Sequence, residues 1–190
     1  MTGVILCGGN SIRMGKDKGL LKEEDVTWAE RAARKLTALG LRVVISINPQ
    51  QPESYQGIFA KEQLVIDTED LPVKGPLLGI LSVHRKFQNE DLFVLACDMK
   101  EMAISLLEHL YTQCSAGIQE AYVYTTGDKL QPLCGIYTAA GLNRIYQLLR
   151  YGHLKKFSMM HVLECLDTSC IRANEDDAIF FNNYNHPTDY

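Results

Sequence analysis

The 190-residue sequence lacks an excess of positive charge, a long apolar run and a basic N-terminal region, and each absence excludes a class of protein. Its formal net charge is −4, so no basic surface is expected for binding nucleic acid or an anionic membrane. No apolar run is long enough for a membrane span, and no basic stretch precedes an apolar one at the start, so nothing indicates secretion. We therefore expect a cytoplasmic protein with neither nucleic acid nor a membrane as partner.

Paired metal-ligand cysteines are also missing. The six cysteines are scattered, no C-x-x-C occurs, and no cysteine or histidine has the spacing of a zinc site. Cys7, Cys97 and Cys134 lie in apolar runs, where cysteine behaves as a small buried hydrophobic residue. A dinucleotide-binding redox protein that uses Cys7 is disfavoured, because the sequence has no G-x-G-x-x-G pattern and no second cysteine close by.

What is present is the composition of an ordinary globular protein, with 46% hydrophobic and 22% charged residues. No linker, repeat or low-complexity run divides the chain, so we expect one domain over residues 1–190. Strands are predicted at residues 3–6, 42–47, 64–66, 91–96, 121–125, 133–137 and 178–181. Helices are predicted at residues 28–39, from 76 onward, and at 101–114, 140–150 and 155–166. This alternation predicts an α/β protein, a three-layer Rossmann-like, mostly parallel sheet with helices on both faces.

Polar residues follow several of the predicted strands. Gly8, Asn48, Asp67 and Asp98 come at or just after strand ends. Ligands of such sheets bind beyond the carboxyl ends of the strands, so all four residues would line one edge if the strands are parallel. Asp98 would there be a natural Mg²⁺ ligand. Asp98 could instead cap the following helix, and Asp67 could begin a turn.

A glycine-rich stretch, residues 6–18, has the features of an anion-binding loop. Gly8 and Gly9 allow the backbone to approach a ligand closely, and Arg13 and Lys18 add two cations. Free N–H groups beside cations suit a phosphate chain. The stretch does not match a Walker loop, because the glycine spacing is one residue too long and Asp17 stands where Ser or Thr would hold magnesium. It is a phosphate loop of another kind.

This stretch, Leu-Cys-Gly-Gly-Asn-Ser-Ile-Arg-Met-Gly-Lys-Asp-Lys, resembles the signature of the molybdenum cofactor guanylyltransferases, which belong to a superfamily of nucleotidyltransferases. Further segments similar to the family's motifs follow in order at residues 75–80, 96–99, 131–137 and 183–189. Three positions depart from the pattern: Cys7 replaces an alanine, Glu24-Asp25 replaces a glycine, and Lys100 replaces a proline. The resemblance implies a sheet of the nucleotide-diphospho-sugar transferase type.

The resemblance also implies roles for individual residues. The implied nucleotide-binding residues are Leu6, Cys7, Gly8, Gly9, Lys18, Asn48, Asp67 and Asp98. Within this set Lys18 would neutralise phosphate, Asn48 and Asp67 would hold the base or ribose, and Asp98 would bind the cofactor Mg²⁺. Arg13, Lys18 and Asp98 would be the catalytic residues. Asn183 and Asn185 would lie near the pterin substrate.

The implied reaction transfers GMP from GTP to the terminal phosphate of molybdopterin, with or without bound molybdenum, and releases pyrophosphate. Molybdoenzyme maturation proteins are further candidate partners. A phosphate monoester is already an anionic nucleophile, so the lack of a Ser, Cys or His base agrees with this reaction. Two alternatives stay open: cytidylyl transfer to the same pterin, and a nucleotide-binding module without catalytic activity. The presence of both Lys18 and Asp98 argues against the second.

Overall fold

The computed structural model describes residues 1–8, 17–182 and 184. Its strands are β1 Thr2–Leu6, β2 Lys22–Glu23, β3 Val26–Thr27, β4 Arg42–Ile47, β5 Leu64–Ile66, β6 Leu92–Ala96, β7 Ala121–Thr126, β8 Lys129–Tyr137 and β9 Thr168–Arg172. Its α-helices are α1 Trp28–Ala38, α2 Pro52–Gln56, α3 Pro76–Lys86, α4 Ile104–Ala116, α5 Ala139–Arg150 and α6 Met159–Glu164. Short 3₁₀ helices cover Lys18–Leu20, Lys61–Gln63 and Glu175–Phe181. None of the described helices is both long and apolar enough to span a bilayer.

Seven of the described strands form one sheet in the order β5-β4-β1-β6-β8-β7-β9. β1 lies between β4 and β6 and pairs with both in parallel, and β4 pairs in parallel with β5. β8 runs antiparallel to its neighbours β6 and β7, and β9 runs parallel to β7. The mostly parallel sheet confirms the predicted fold class. It also places the carboxyl ends of β1, β4, β5 and β6 along one edge.

Helices cover both faces of the sheet, because successive strand residues alternate between two apolar cores. On β1, Ile5 packs into the core under α1, α2 and α4, whereas Val4 packs into the core under α3, α5 and α6. On β6, Phe93 and Val94 divide between the same two cores. A strand buried on both faces needs an unbroken apolar run, which is the pattern that made these strands predictable.

A small hairpin precedes α1 and was not predicted. Lys22 pairs with Thr27 across it, and its turn residues Glu24 and Asp25 have φ values of 50° and 62°. This left-handed region favours glycine, which is the residue that the resembled family carries there. Thr27 also caps α1 in a capping box with Glu30.

Three predictions in the C-terminal part need correction. The predicted strand at residues 178–181 is wrong, because Glu175–Phe181 forms a 3₁₀ helix that buries Phe181 and leaves Ile179 60% exposed. The edge strand β9 was missed, because its mixed polar sequence has no clear alternation. The helix predicted at residues 155–166 is shorter, since α6 begins only after Ser158, whose hydroxyl accepts the N–H of His161.

Candidate active site

The carboxyl ends of β1, β4 and β5 bring Gly8, Asn48 and Asp67 together. A Cβ atom on Gly8 would lie 2.6 Å from Asp67 Oδ2 and 3.5 Å from the Asn48 nitrogen, so the backbone at Gly8 lies directly against both residues. The Asp67 N–H donates to the Ile47 carbonyl at 2.8 Å and thereby continues the parallel ladder beyond the strands. Three of the residues predicted for the ligand edge therefore form one surface.

Asp67 is a buried carboxylate at this surface and not the start of a turn. Its Oδ1 accepts a hydrogen bond from Ser46 Oγ at 2.9 Å. Only 7% of Asp67 is exposed, and burial raises the pKa of its carboxyl from 3.8 to about 6 despite the opposing effect of Ser46. A buried carboxylate with acceptor capacity can receive N–H or O–H donors from a ligand at low desolvation cost.

Lys18 and Asp98 form an ion pair beside this surface. Lys18 Nζ lies 2.9 Å from Asp98 Oδ2, and their side chains are 19% and 16% exposed. Asp98 lies two residues beyond the end of β6, while Lys18 begins the 3₁₀ helix that leads to the hairpin. Because Ala103 is the N-cap of α4, Asp98 does not cap the following helix. The structure thus brings together two of the three residues predicted to be catalytic.

Asp17 holds the segment next to Lys18 in place through side chains that the sequence analysis missed. Its Oδ1 accepts from Tyr55 Oη and from the Gly19 N–H, both at 2.9 Å, and its Oδ2 accepts from Gln51 Nε2. Gln51 and Tyr55 are one helical turn apart on or beside α2. Their spacing was the available signal, but no helix was predicted between β4 and β5.

Leu6 and Cys7 lie at the end of β1, immediately before Gly8. The Cys7 N–H donates to the Ser46 carbonyl at 2.9 Å, and the Cys7 carbonyl accepts from Gln51 Nε2 at 3.0 Å. Cys7 is 4% exposed, and Leu6 packs beside Gly79 at the start of α3. The backbone of Cys7 is therefore engaged by the protein, and its thiol lies inside a core as expected.

Some predicted site residues lie outside the described part of the chain. These are Gly9, Arg13, Asn183 and Asn185. The described residue Tyr184 does reach the site, because its N–H donates to the Asp98 carbonyl at 3.3 Å and its ring lies 6.4 Å from that of Trp28.

The donor set is compatible with magnesium. Among residues 1–8, 17–182 and 184, no group of three or more His, Cys, Asp or Glu side chains converges as a metal site would require. Mg²⁺, however, often takes one or two carboxylates and completes its octahedron with water and substrate phosphates. Asp98, a partly exposed carboxylate beside a cation at the ligand edge, can supply the protein ligand of such a site.

Comparison with known proteins identifies the family of this chain. A family model described as the MobA-like NTP transferase domain matches residues 3–165. The chain belongs to this family. It is thereby a nucleotidyltransferase by family. The match begins in β1 and ends immediately after α6, so it contains Lys18, Asp67 and Asp98.

The alignments with individual relatives cover nearly the whole chain. A Geobacillus protein named "probable molybdenum cofactor guanylyltransferase" is 28% identical over 195 aligned positions, which cover 100% of this chain and 96% of that protein. A Methanothermobacter thermautotrophicus protein of the same name is 27% identical over 97% of this chain and 94% of its own. The crystal structure of molybdopterin-guanine dinucleotide biosynthesis protein A from Archaeoglobus fulgidus shares the fold, with a TM-score of 0.80, 22% identity, and coverage of 100% of this chain and 94% of its own.

Proposed function

We propose that this chain transfers GMP from GTP to the terminal phosphate of molybdopterin, molybdenum-loaded or not, and releases pyrophosphate. The observation that carries the proposal is the Lys18–Asp98 pair beside Gly8 at the carboxyl end of the sheet. It offers a cation for phosphate and a carboxylate for a metal at the edge where α/β sheets bind ligands. The printed names of the two sequence relatives support the choice of GTP and of the molybdenum cofactor.

In this proposal the nucleotide lies along the carboxyl ends of β1, β4 and β5. Gly8 lets the phosphates approach the backbone, and Lys18 neutralises part of their charge. Asp67 and Asn48 hold the base or the ribose, because a carboxylate accepts from the N–H and O–H groups that both carry. Their proximity to Gly8 supports a shared ligand for the three residues.

The chemistry needs positioning more than a base. An oxygen of the pterin phosphate forms a bond to the α-phosphorus of GTP, and the bond from that phosphorus to the bridging oxygen breaks as pyrophosphate leaves with the electron pair. The attacking phosphate is already an anion, so the barrier comes from charge repulsion and alignment. Lys18 supplies positive charge at the site, and Arg13 is proposed to meet the departing pyrophosphate. Asn183 and Asn185 are proposed to lie near the pterin.

Asp98 would hold Mg²⁺ in this reaction. When bound, the ion supplies further positive charge to the phosphate oxygens and helps to align them. Lys18 and Asp98 contact each other, so on binding each would exchange a protein partner for a ligand partner. The charge of each side chain is thus compensated in both states, which limits the cost of keeping the two partly buried.

A melting experiment tests nucleotide choice. The protein is heated with Mg²⁺ and one of GTP, CTP, ATP or UTP, because a ligand that prefers the folded state raises the melting temperature. The proposal expects the largest rise with GTP. A rise with CTP alone would favour the cytidylyl alternative.

A turnover experiment tests catalysis separately. Protein, Mg²⁺, GTP and molybdopterin are incubated without oxygen, and pyrophosphate and the guanine dinucleotide product are both measured. Asp98→Asn serves as the matched control, because it keeps the side-chain shape and removes its charge. Stabilisation by GTP with no product from the wild-type protein would favour the catalytically inactive alternative.

A further inference from the structure

Two segments meet at the candidate active site. The lysine segment, residues 17–27, carries Lys18 and continues through the β2–β3 hairpin, and the aspartate segment, residues 97–103, carries Asp98 and leads to α4. The Lys18–Asp98 ion pair joins the two segments at the site itself. If the proposed function holds, this contact weakens when ligands bind, because phosphate and metal attract the same two side chains.

A second ion pair joins the same two segments with the charges reversed. Lys100 Nζ on the aspartate segment lies 2.7 Å from Glu23 Oε1 on the lysine segment. The Lys100 side chain is only 7% exposed and the Glu23 side chain 35%. An ammonium and a carboxylate at this separation form a charge-assisted hydrogen bond, which is stronger than one between neutral groups.

The surroundings of Lys100 fix its position. Its ammonium group lies 4.4 Å from the centroid of the Tyr184 ring and 5.7 Å from that of Trp28, within the range of cation–π attraction. Its carbonyl accepts a hydrogen bond from Lys35 Nζ on α1. The aspartate segment is thereby held on α1 through its backbone and on the hairpin through the side chain of Lys100.

We propose that Lys100 is a positioning residue: its ion pair with Glu23 keeps Lys18 and Asp98 at working distance when ligands draw their charges apart. The inference rests on the proposed function, because it presumes that Lys18 and Asp98 meet phosphate and metal. Four charges in two crossed pairs constrain both the separation of the segments and their sliding past each other.

The test measures binding in the absence of acceptor, so that no turnover is involved. Isothermal titration gives the GTP dissociation constant with and without Mg²⁺ for the wild type, Lys100→Met, Glu23→Gln and the double variant. We expect the gain in GTP affinity on adding Mg²⁺ to be about three- to tenfold smaller in each single variant than in the wild type. The double variant should lose no more than the larger single loss, because the two groups act as one unit. Affinity without Mg²⁺ should change less.

Two matched variants separate positioning from a general loss of charge. Glu101 Oε1 lies 3.9 Å from Lys100 Nζ but belongs to the same segment, so Glu101→Gln should leave the magnesium effect unchanged. Lys100→Arg retains the positive charge and should therefore retain most of the magnesium effect. This variant keeps the test valid if Lys100→Met folds poorly. If the wild type binds GTP, and Mg²⁺ raises the GTP affinity of Lys100→Met and Glu23→Gln as much as that of the wild type, this inference alone is overturned. Absence of GTP binding by the wild type would overturn the proposed function and the inference together.

Discussion

Lys18 and Asp98 neutralise each other in the structure, and each is also the side chain proposed to meet a ligand. The pair is mostly buried, so its loss should affect chemistry and should also lower stability, because the remaining charge loses this partner. Nucleotide binding replaces one internal ion pair with contacts to phosphate and metal. Kinetic effects of substitutions at the two residues must therefore be measured together with a thermal melt, so that lost activity is separated from lost folding.

Asp98→Asn should reduce turnover by about a hundredfold or more, because the amide retains the shape and loses the negative charge that the metal requires. The melting temperature should fall, because the mostly buried Lys18 charge loses the Asp98 carboxylate, so turnover is measured at a temperature where the variant is folded. Steady-state release of pyrophosphate and a thermal melt measure the two quantities. Near-normal turnover would show that Asp98 is not the metal ligand.

Lys18→Ala and Arg13→Ala should affect different kinetic constants. Lys18 is proposed to contact phosphate in the bound ground state, so its loss should mainly raise the KM for GTP. Arg13 is proposed to meet the charge that develops on pyrophosphate, so its loss should mainly lower kcat. Kinetics at varied GTP concentration separate the two effects. If Arg13→Ala raises KM alone, its proposed transition-state role is wrong.

Asp67→Asn should make stability less dependent on pH. The folded-state pKa of Asp67 is about 6 against 3.8 unfolded, so its contribution to stability is full below about pH 4 and is lost as pH rises through 6. Above that pH the ionised carboxylate costs the folded state about 3 kcal/mol. Urea unfolding should show the Asn variant gaining stability relative to wild type between about pH 4 and pH 7. A constant difference over that range would contradict the buried titration.

Among the larger elements, the β2–β3 hairpin is the one whose local sequence agrees least with its conformation. Glu24 and Asp25 both occupy the left-handed region, which costs an ordinary L-residue about 1–2 kcal/mol relative to glycine. The hairpin nevertheless forms, since Glu23 next to the turn is paired with Lys100 and the flanking Thr27 caps α1. Tertiary contacts here outweigh turn preference, which is why the hairpin could not be predicted from the sequence.

Glu24→Gly should therefore raise the free energy of unfolding by about 0.5–1 kcal/mol, the strain relief exceeding the added chain entropy of the unfolded state. Lys22→Gly, in the adjoining strand, is the control and should lower it, because an extended position gains nothing from glycine. Urea denaturation at neutral pH measures both. Destabilisation by Glu24→Gly would mean that its side chain contributes more than its backbone costs.

The balance between local sequence pattern and tertiary contacts also explains which elements could be predicted. β1, β4 and β6 are buried on both faces, and their sequences are apolar runs. The start of α1 is marked by its capping residues Thr27 and Glu30. β9 lies at the sheet edge and is half-exposed, so its sequence carries little pattern. The 3₁₀ helix Glu175–Phe181 contains an Ile-Phe-Phe run that imitates a strand, although only Phe181 is buried. The strands buried on both faces and the short apolar edge strand β5 have a sequence pattern that predicts them, whereas the mixed polar sequence of β9 has none.

At the scale of the whole molecule, parallel pairing accounts for the part of the site that was predictable. Gly8, Asn48 and Asp67 converge because β1, β4 and β5 end at one edge, and strand position alone sufficed to predict this. Side chains that reach across from other elements, such as Gln51 and Tyr55 to Asp17, depend on helix placement that one sequence does not reveal. That the chain forms one domain over residues 1–190 stays a prediction.

The face opposite α1 contains a second titrating group, His84, on the side of α3 that packs toward α5. Its ring is 2% exposed, Nε2 lies 3.0 Å from Asn143 Oδ1, and Nδ1 has no hydrogen-bond partner among the described residues. Burial lowers the pKa of His84 below 6.5, although the Asn143 contact opposes the shift. The neutral ring is therefore the form that the fold accommodates.

His84→Leu should make the protein more resistant to acid. A lowered folded-state pKa means that the contribution of His84 is fully present above about pH 6.5 and is lost as pH falls, because the unfolded chain binds the proton first. The sign is opposite to that of Asp67 over an overlapping range, so the wild-type pH profile alone cannot separate them. Each variant must be compared with wild type, by urea unfolding in steps from about pH 7 to pH 5. The Leu variant should be at least as stable at pH 7, since the unpaired Nδ1 is removed while the exposed Asn143 turns to water, and its advantage should grow as pH falls. An advantage that stays constant across the range would show that His84 is protonated as easily in the fold as in the unfolded chain.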